Sequence, residues 1–280
     1  MDFARALWQR IETIHAVTYF DPLATEATTA AGLTGFWMGY FGARAAPMGA
    51  VNAGVVEATF FNFAPGFVRR WVPDVWERAS PATLLAARSD AAARSLRAIS
   101  ADVDALAGAV GDDLAVALGR SSPAGRSLFA ANRDAPLPDD PVGALWQHCT
   151  SLREHRGDGH VAALTAAGLD GLEAHVLIAL DGGASAEDLQ KTRGWTPDDW
   201  DAAARRCDER GLVAGGALTE AGRRLRAEVE ATTDRLAAAP FAALTDAERA
   251  AMLDALEPVA VAVSRSGIIR YPNPIGLPPL

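Results

Sequence analysis

Trp195-Thr196-Pro197-Asp198-Asp199-Trp200, running on through Glu209-Arg210-Gly211-Leu212-Val213 to Leu218-Thr219-Glu220-Ala221-Gly222, sets the architecture of the second half of this chain. Pro197 suits the first position of a helix, where its missing N–H costs nothing. That helix is expected to end at Arg210-Gly211. Ala214-Gly215-Gly216-Ala217 then reads as a tight hairpin turn, because glycine supplies the backbone angles that such turns require. Thr219 opens a long helix expected over Thr219–Ala239. Upstream, helices are expected at Leu172–Leu180 and Ala186–Lys191, with a turn at Gly194. The order is helix, short helix, helix, hairpin, long helix.

This order, with Glu-Arg-Gly-Leu-Val closing one helix and Leu-Thr-Glu-Ala-Gly after the hairpin, resembles winged helix-turn-helix proteins of the MarR type. The likeness covers roughly Leu172 to Leu236. The whole chain also resembles an actinobacterial helix-turn-helix-like family in His15-Ala16-Val17-Thr18-Tyr19-Phe20, in Leu152 to His160 and in Asn273-Pro274-Ile275-Gly276-Leu277-Pro278. The MarR resemblance implies a dimer whose terminal helices interlock, with ligand pockets near the dimer interface.

The first half carries echoes of the second. Ala6-Leu7-Trp8-Gln9 returns as Ala144-Leu145-Trp146-Gln147, and Thr29-Ala30-Ala31-Gly32-Leu33 returns as Thr165-Ala166-Ala167-Gly168-Leu169. Trp71-Val72-Pro73-Asp74-Val75-Trp76 returns as Trp195-Thr196-Pro197-Asp198-Asp199-Trp200, and the offsets shrink in order from 138 to 136 to 124. Such ordered matches point to an internal duplication. The expected fold is therefore mainly α. It has two tandem degenerate winged-helix-like halves forming an intramolecular pseudo-dimer, with at most small β-hairpins. The expected divisions are a first half over 1–120, a Pro-rich linker over 121–141, a second half over 142–266 and an extended, tucked-in tail over 267–280.

Further helices are expected at Phe3–Val17, from Asp21-Pro22, over Gly35–Gly42, Ala53–Phe63, Ser80-Pro81 to Ile99, Asp102–Leu118 and Asp246–Ser264. In the second half, Val142–Arg156 and His160–Ala167 are read as separate helices around a polar turn. A formal net charge of −9 argues against unassisted attraction to nucleic acid or to an anionic membrane. The end of the recognition-like helix that would face DNA carries Asp198, Asp199 and Asp201. DNA is therefore a doubtful partner and a membrane is not expected. Two cysteines, Cys149 and Cys207, make neither a disulfide framework nor a zinc cluster, and a cytoplasmic monomer or weak dimer is the expectation.

The first half concentrates aromatic residues with polar groups set among them, and this is the composition of a ligand pocket. The candidate ligand-binding residues are Glu12, Tyr19, Phe20, Trp37, Tyr40, Phe41, Arg44, Phe61, Asn62, Arg69 and Arg153. His15, His155 and His160 are the candidate acid–base groups, the last two placed by the polar turn Arg153-Glu154-His155-Arg156-Gly157-Asp158-Gly159-His160 lying near His15. Glu12-x-x-His15 occurs once, too few ligands for a carboxylate-bridged metal pair. No metal site is expected and the sequence names no cofactor. Three readings stand: a small-molecule-binding protein for an aromatic or apolar ligand with an acidic or polar group, a ligand-responsive regulator, and an enzyme using His15 with the 153–160 segment.

Overall fold

A computed structural model describes residues 3–280. Its first part contains α1 (Phe3–His15), α2 (Val17–Phe20), α3 (Pro22–Ala30), α4 (Gly35–Ala45), α5 (Ala53–Phe60), α6 (Pro65–Val68), α7 (Asp74–Arg78), α8 (Pro81–Ile99) and α9 (Val103–Arg120). After α10 (Ser127–Arg133) come α11 (Pro141–Ala166), α12 (Gly171–Leu180), α13 (Ala186–Arg193) and α14 (Pro197–Glu209). The hairpin β1 (Val213–Ala214) and β2 (Ala217–Leu218), α15 (Glu220–Ala238) and α16 (Asp246–Arg265) complete the described fold. The fold is mainly α, and the hairpin pairs Val213 with Leu218. Among the described residues no single helix is long and apolar enough to cross a membrane.

Helix starts follow their capping residues. Ser80, Asp140, Asp170, Thr196, Thr219 and Thr245 each accept a hydrogen bond from a backbone N–H one turn into the helix that follows. Such caps contribute about 1 kcal/mol each. The turns at two of the echoes share one hydrogen-bond pattern. Gly32 N–H donates to Thr29 and Leu33 N–H to Thr28; Gly168 N–H donates to Thr165 and Leu169 N–H to Leu164. Both glycines have positive φ, a conformation that side-chain-bearing residues avoid.

The largest core draws on both parts of the chain. Leu7, Ile11 and Ile14 of α1 meet Leu145, Trp146 and Cys149 of α11, with Leu114 of α9 and Leu256 and Val259 of α16. α1 packs on α11 and α16, while α11 packs on α1 and α9, and α9 also packs on α16. α8 and α15 each lie against α11 and α3 or α1. The outer lobes touch at backbone distance. Ala64 N–H donates to Arg193 O at 2.9 Å and Trp195 Nε1 to Asn62 O at 2.9 Å. A methyl group on Gly171 would collide with Phe61 O, and one on Gly194 with the Phe67 ring.

Three expectations are corrected. The segment 121–141 contains α10, whose Leu128 and Phe129 are buried, and Phe129 N–H donates to Asp158 Oδ2 at 2.9 Å. Apolar side chains at Leu128 and Phe129 dock this segment despite its prolines. Residues 153–160 are no loop but the interior of α11, a single 26-residue helix. Gly157 and Gly159 provide clearance there: a Cβ on Gly159 would stand 2.7 Å from Arg126 Nη1. The backbone N–H groups of that segment are engaged along the helix, so they are not available to cradle an anion. Finally, the first helix stops at His15, and α2 and α3 continue in a bent path. Pro22 has no N–H for the α-helical ladder. Asp21 caps α3 by accepting from Leu23 N–H and also accepts from Ser95 Oγ at 2.5 Å. In the segment 267–280, Ile269, Asn273 and Leu277 are buried.

Candidate functional site

The bend between α1 and α3 opens a pocket. His15 and Tyr19 form one wall, Phe36, Tyr40 and Arg44 of α4 a second, and Arg88 of α8 with Trp146, Thr150 and Glu154 of α11 the floor. Trp146, Thr150 and Glu154 are spaced by four, so they share one face of α11. The pocket measures about 540 Å³ with its open mouth included. Phe36, 42% exposed, stands among the mouth residues and stacks on Tyr40 with ring centres 6.2 Å apart.

His15 is 2% exposed. Its Nδ1 meets Thr150 Oγ1 at 2.9 Å, its ring packs edge-on to Tyr19 at 4.9 Å, and it stacks on Trp146 at 6.0 Å. Burial, reinforced by Arg153, holds its pKa well below the usual imidazole value despite the opposing Glu154. The ring is thus neutral at pH 7. Its Nε2 is buried without a hydrogen-bond partner, and so is the Tyr19 hydroxyl. Burial pushes the Tyr19 pKa up, so the phenol stays protonated.

Behind the pocket runs a buried ionic chain. Glu154 accepts from Arg44 Nε at 3.0 Å, from Arg44 Nη2 at 3.2 Å and from Arg153 Nη1 at 2.7 Å. Arg153 Nε continues to Glu12 at 3.2 Å, and Trp8 Nε1 also donates to Glu12 at 3.2 Å. At the other end Arg44 Nη1 donates to the Tyr40 hydroxyl at 3.0 Å. Burial alone would raise the Glu154 pKa, but Arg153 and Arg44 overcome it and hold it at about 2. Glu154 is therefore a structural counter-ion and no proton donor at neutral pH.

Arg88 is built differently. It is 5% exposed, donates to Ala43 O, Asn132 Oδ1 and Gln147 Oε1 at 2.9 to 3.0 Å, and its Nε–H has no acceptor. None of these partners is charged. Burial lowers its pKa to about 10, with Tyr19 and Glu154 acting in the opposite direction.

Of the residues expected in a site, His15, Tyr19, Tyr40 and Arg44 meet at this pocket. Arg153 and Glu12 stand one ion pair behind it and line a wider cleft between α1, α11 and α15. Phe41 is fully buried and Trp37 half-buried in an aromatic core, and Phe20 packs against the main core. Phe61 and Asn62 belong to the contact between lobes, where Asn62 O accepts from Trp195. Arg69 is exposed and pairs with Glu57 at 2.8 Å. The three histidines do not form one group. His155 packs edge-on to Phe129 at 4.9 Å, and His160 meets Thr233 Oγ1 at 2.9 Å in the wider cleft. A continuous α11 explains the separation: residues one and six positions beyond Glu154 leave the helix on other sides.

Sequence reading missed Arg88, Trp146, Thr150 and Glu154 as pocket residues. Arg88 had a signal: it falls in line with Leu84, Ala91, Ala92 and Ser95, all buried, at helical spacing. An arginine on an apolar helical stripe is either paired inside or reserved for something else.

Residues 4–270 match the profile of a helix-turn-helix family. No curated protein and no solved structure matches the chain.

Proposed function

The chain belongs to a helix-turn-helix family over residues 4–270, and from that premise we propose that it is a small-molecule-binding protein whose DNA-reading role has lapsed. Its two halves are read as a MarR-type dimer fused into one chain. The exchange of packing partners supports this, since α1 meets α11 and α16 while α11 meets α1 and α9. So do the matched turns at Gly32 and Gly168. In this reading α11 stayed continuous, while the bent counterpart α1–α3 acquired the pocket. The ligand is a small aromatic or apolar molecule with an acidic or polar group. The single observation that carries the proposal is the pair of buried, unpartnered polar atoms, His15 Nε2 and Tyr19 Oη, at one aromatic-walled pocket. Buried polar groups are nearly always satisfied, so an orphaned pair at a pocket marks the place of a missing partner.

Loss of DNA reading is supported by the surface of α14. Asp198, Asp199, Asp201, Asp208 and Glu209 are exposed against Arg205, while Arg206 and Arg210 are tied to Asp170, Glu173 and backbone carbonyls. The hairpin loop Gly215-Gly216 carries no cation. The lobe contact through Ala64, Asn62, Arg193 and Trp195 also keeps the two halves from spreading over successive major grooves, about 34 Å apart in a two-site reader.

Fluorescence anisotropy with a random 25-base-pair duplex in about 50 mM salt tests the DNA half of the proposal. Non-specific binders reach Kd values of roughly 10⁻⁴ to 10⁻⁶ M at physiological salt, and tighter as salt falls. The expected result is no saturable binding there, together with quenching or shifting of tryptophan emission by at least one of benzoate, benzamide or phenol. Salt-sensitive duplex binding with no response to the three aromatics would overturn the proposal in favour of a regulator.

A further inference from the structure

We propose that the ligand of this pocket is a singly charged carboxylate carrying an aromatic or short apolar body, with Arg88 as its counter-ion. The inference rests on the pocket being a binding site and adds the charge and orientation of what it binds.

The charges at and behind the pocket do not cancel. Glu12 faces Arg153, and Glu154 faces Arg44 and Arg153. His15 and Tyr19 are neutral. Arg88 is then one cation too many: its partners are a backbone carbonyl, two side-chain amides and the face of the Trp146 ring at 5.4 Å, none of them an anion. The orientation of those amides is fixed, since Gln147 Nε2 donates to Asn132 O at 2.9 Å. A buried guanidinium with neutral partners alone is costly in an interior of low polarity, and an anion brought alongside removes that cost.

The unsatisfied groups agree in kind. The Arg88 Nε–H and the Tyr19 hydroxyl are donors without acceptors. In the tautomer in which Thr150 donates to His15 Nδ1, the ring proton sits on Nε2 and makes it a third donor without an acceptor. An ionised carboxylate only accepts, and its two oxygens offer about four acceptor positions. An alcohol or amide would spend a donor against this set. The buried donors of Arg88, Tyr19 and His15 suit a carboxylate, and the rings of Trp146, Tyr40 and Phe36 suit a flat or short apolar body. Of the two cations that line the pocket, Arg44 already holds Glu154, so Arg88 alone is free for an anion and a dianion is disfavoured.

Isothermal titration of the full chain with benzoate and with benzamide, its neutral counterpart of the same shape, tests the proposal. Benzoate is expected to bind at least about tenfold more tightly than benzamide, the difference a 1.4 kcal/mol contribution makes. Arg88→Met should remove that preference by weakening benzoate at least about tenfold more than benzamide. Tyr19→Phe, a milder change that keeps the ring, should weaken benzoate several-fold, so the question stays answerable if Arg88→Met does not fold. Equal binding of both compounds would overturn the charge assignment while leaving the pocket standing. Binding of neither would overturn the pocket as well. A benzoate preference untouched by both substitutions would place the anion elsewhere, such as the arginine-lined cleft between α1 and α15, and would refute the proposal.

Discussion

Lowering the pH from 7 to 5 is expected to remove a large part of the stability of this protein. His15, His155 and His175 are each buried, and burial holds all three below the ordinary imidazole value, His155 and His175 at about 3. The unfolded chain therefore takes up protons near pH 6.5 while the folded chain does not. Stability is unaffected above that value and falls as the pH drops below it, down to the folded pKa. From pH 7 to 5 His155 and His175 each cost about 2 kcal/mol, and His15, His148 and His160, all lowered by burial, act in the same direction. Many domains have only about 5 to 15 kcal/mol in total. Asp158 acts the other way: burial raises its carboxyl to about 6, so the folded state gains a proton in the same interval. That offsets about 1 kcal/mol. Urea midpoints at pH 7, 6 and 5 read the net fall. His175→Leu should flatten it by one histidine's share. A midpoint that stays constant from pH 7 to 5 would refute the account of these histidines.

Glu154→Gln is expected to be the most damaging single substitution of the ionic chain. The carboxylate joins two buried guanidiniums, Arg44 and Arg153, and only Arg153 has a second carboxylate to fall back on. Breaking a buried pair by removing one partner costs about 3 to 5 kcal/mol, because a charge is left behind without compensation. The pH signature is separate from that of the histidines. Glu154 is held at about 2, below the ordinary glutamate value, so its contribution is present above about pH 4.5 and is lost as the pH falls toward 2. The variant should lack that lower-pH loss. Replacing Arg44 with Met together with Glu154→Gln should recover part of the deficit, since the stranded cation is then gone. Denaturant unfolding of both variants measures this, and a single substitution costing under 1 kcal/mol would contradict the role assigned to Glu154.

Much of the helical framework is readable from capping residues and prolines. Ser80-Pro81, Asp140-Pro141, Thr196-Pro197 and Thr219 begin helices at the positions their chemistry demands. What misleads is glycine and proline serving packing. Gly157 and Gly159 look like a turn, yet they make way for side chains such as Arg126 on a continuous helix. The prolines around 121–141 look like a linker, yet Leu128 and Phe129 seat α10 in the core. Half of the pocket is legible because His15, Tyr19, Tyr40 and Arg44 come from one aromatic-rich stretch. The other half comes from α8 and α11, far away in sequence, and only tertiary packing reveals that Arg88 and Thr150 face His15. His155 and His160 illustrate the same limit: closeness in sequence to Glu154 places them on other sides of the helix.

The most direct test of the account is long-range ¹H–¹⁵N NMR of the five histidine rings as benzoate is added. Nitrogen shifts report both ring protonation and hydrogen bonding. The prediction is that the Nε2 signal of His15 moves with benzoate, keeps the signature of a neutral ring, and leaves the His160 and His175 signals in place. Unchanged His15 resonances at saturating benzoate, or movement confined to His160, would contradict it.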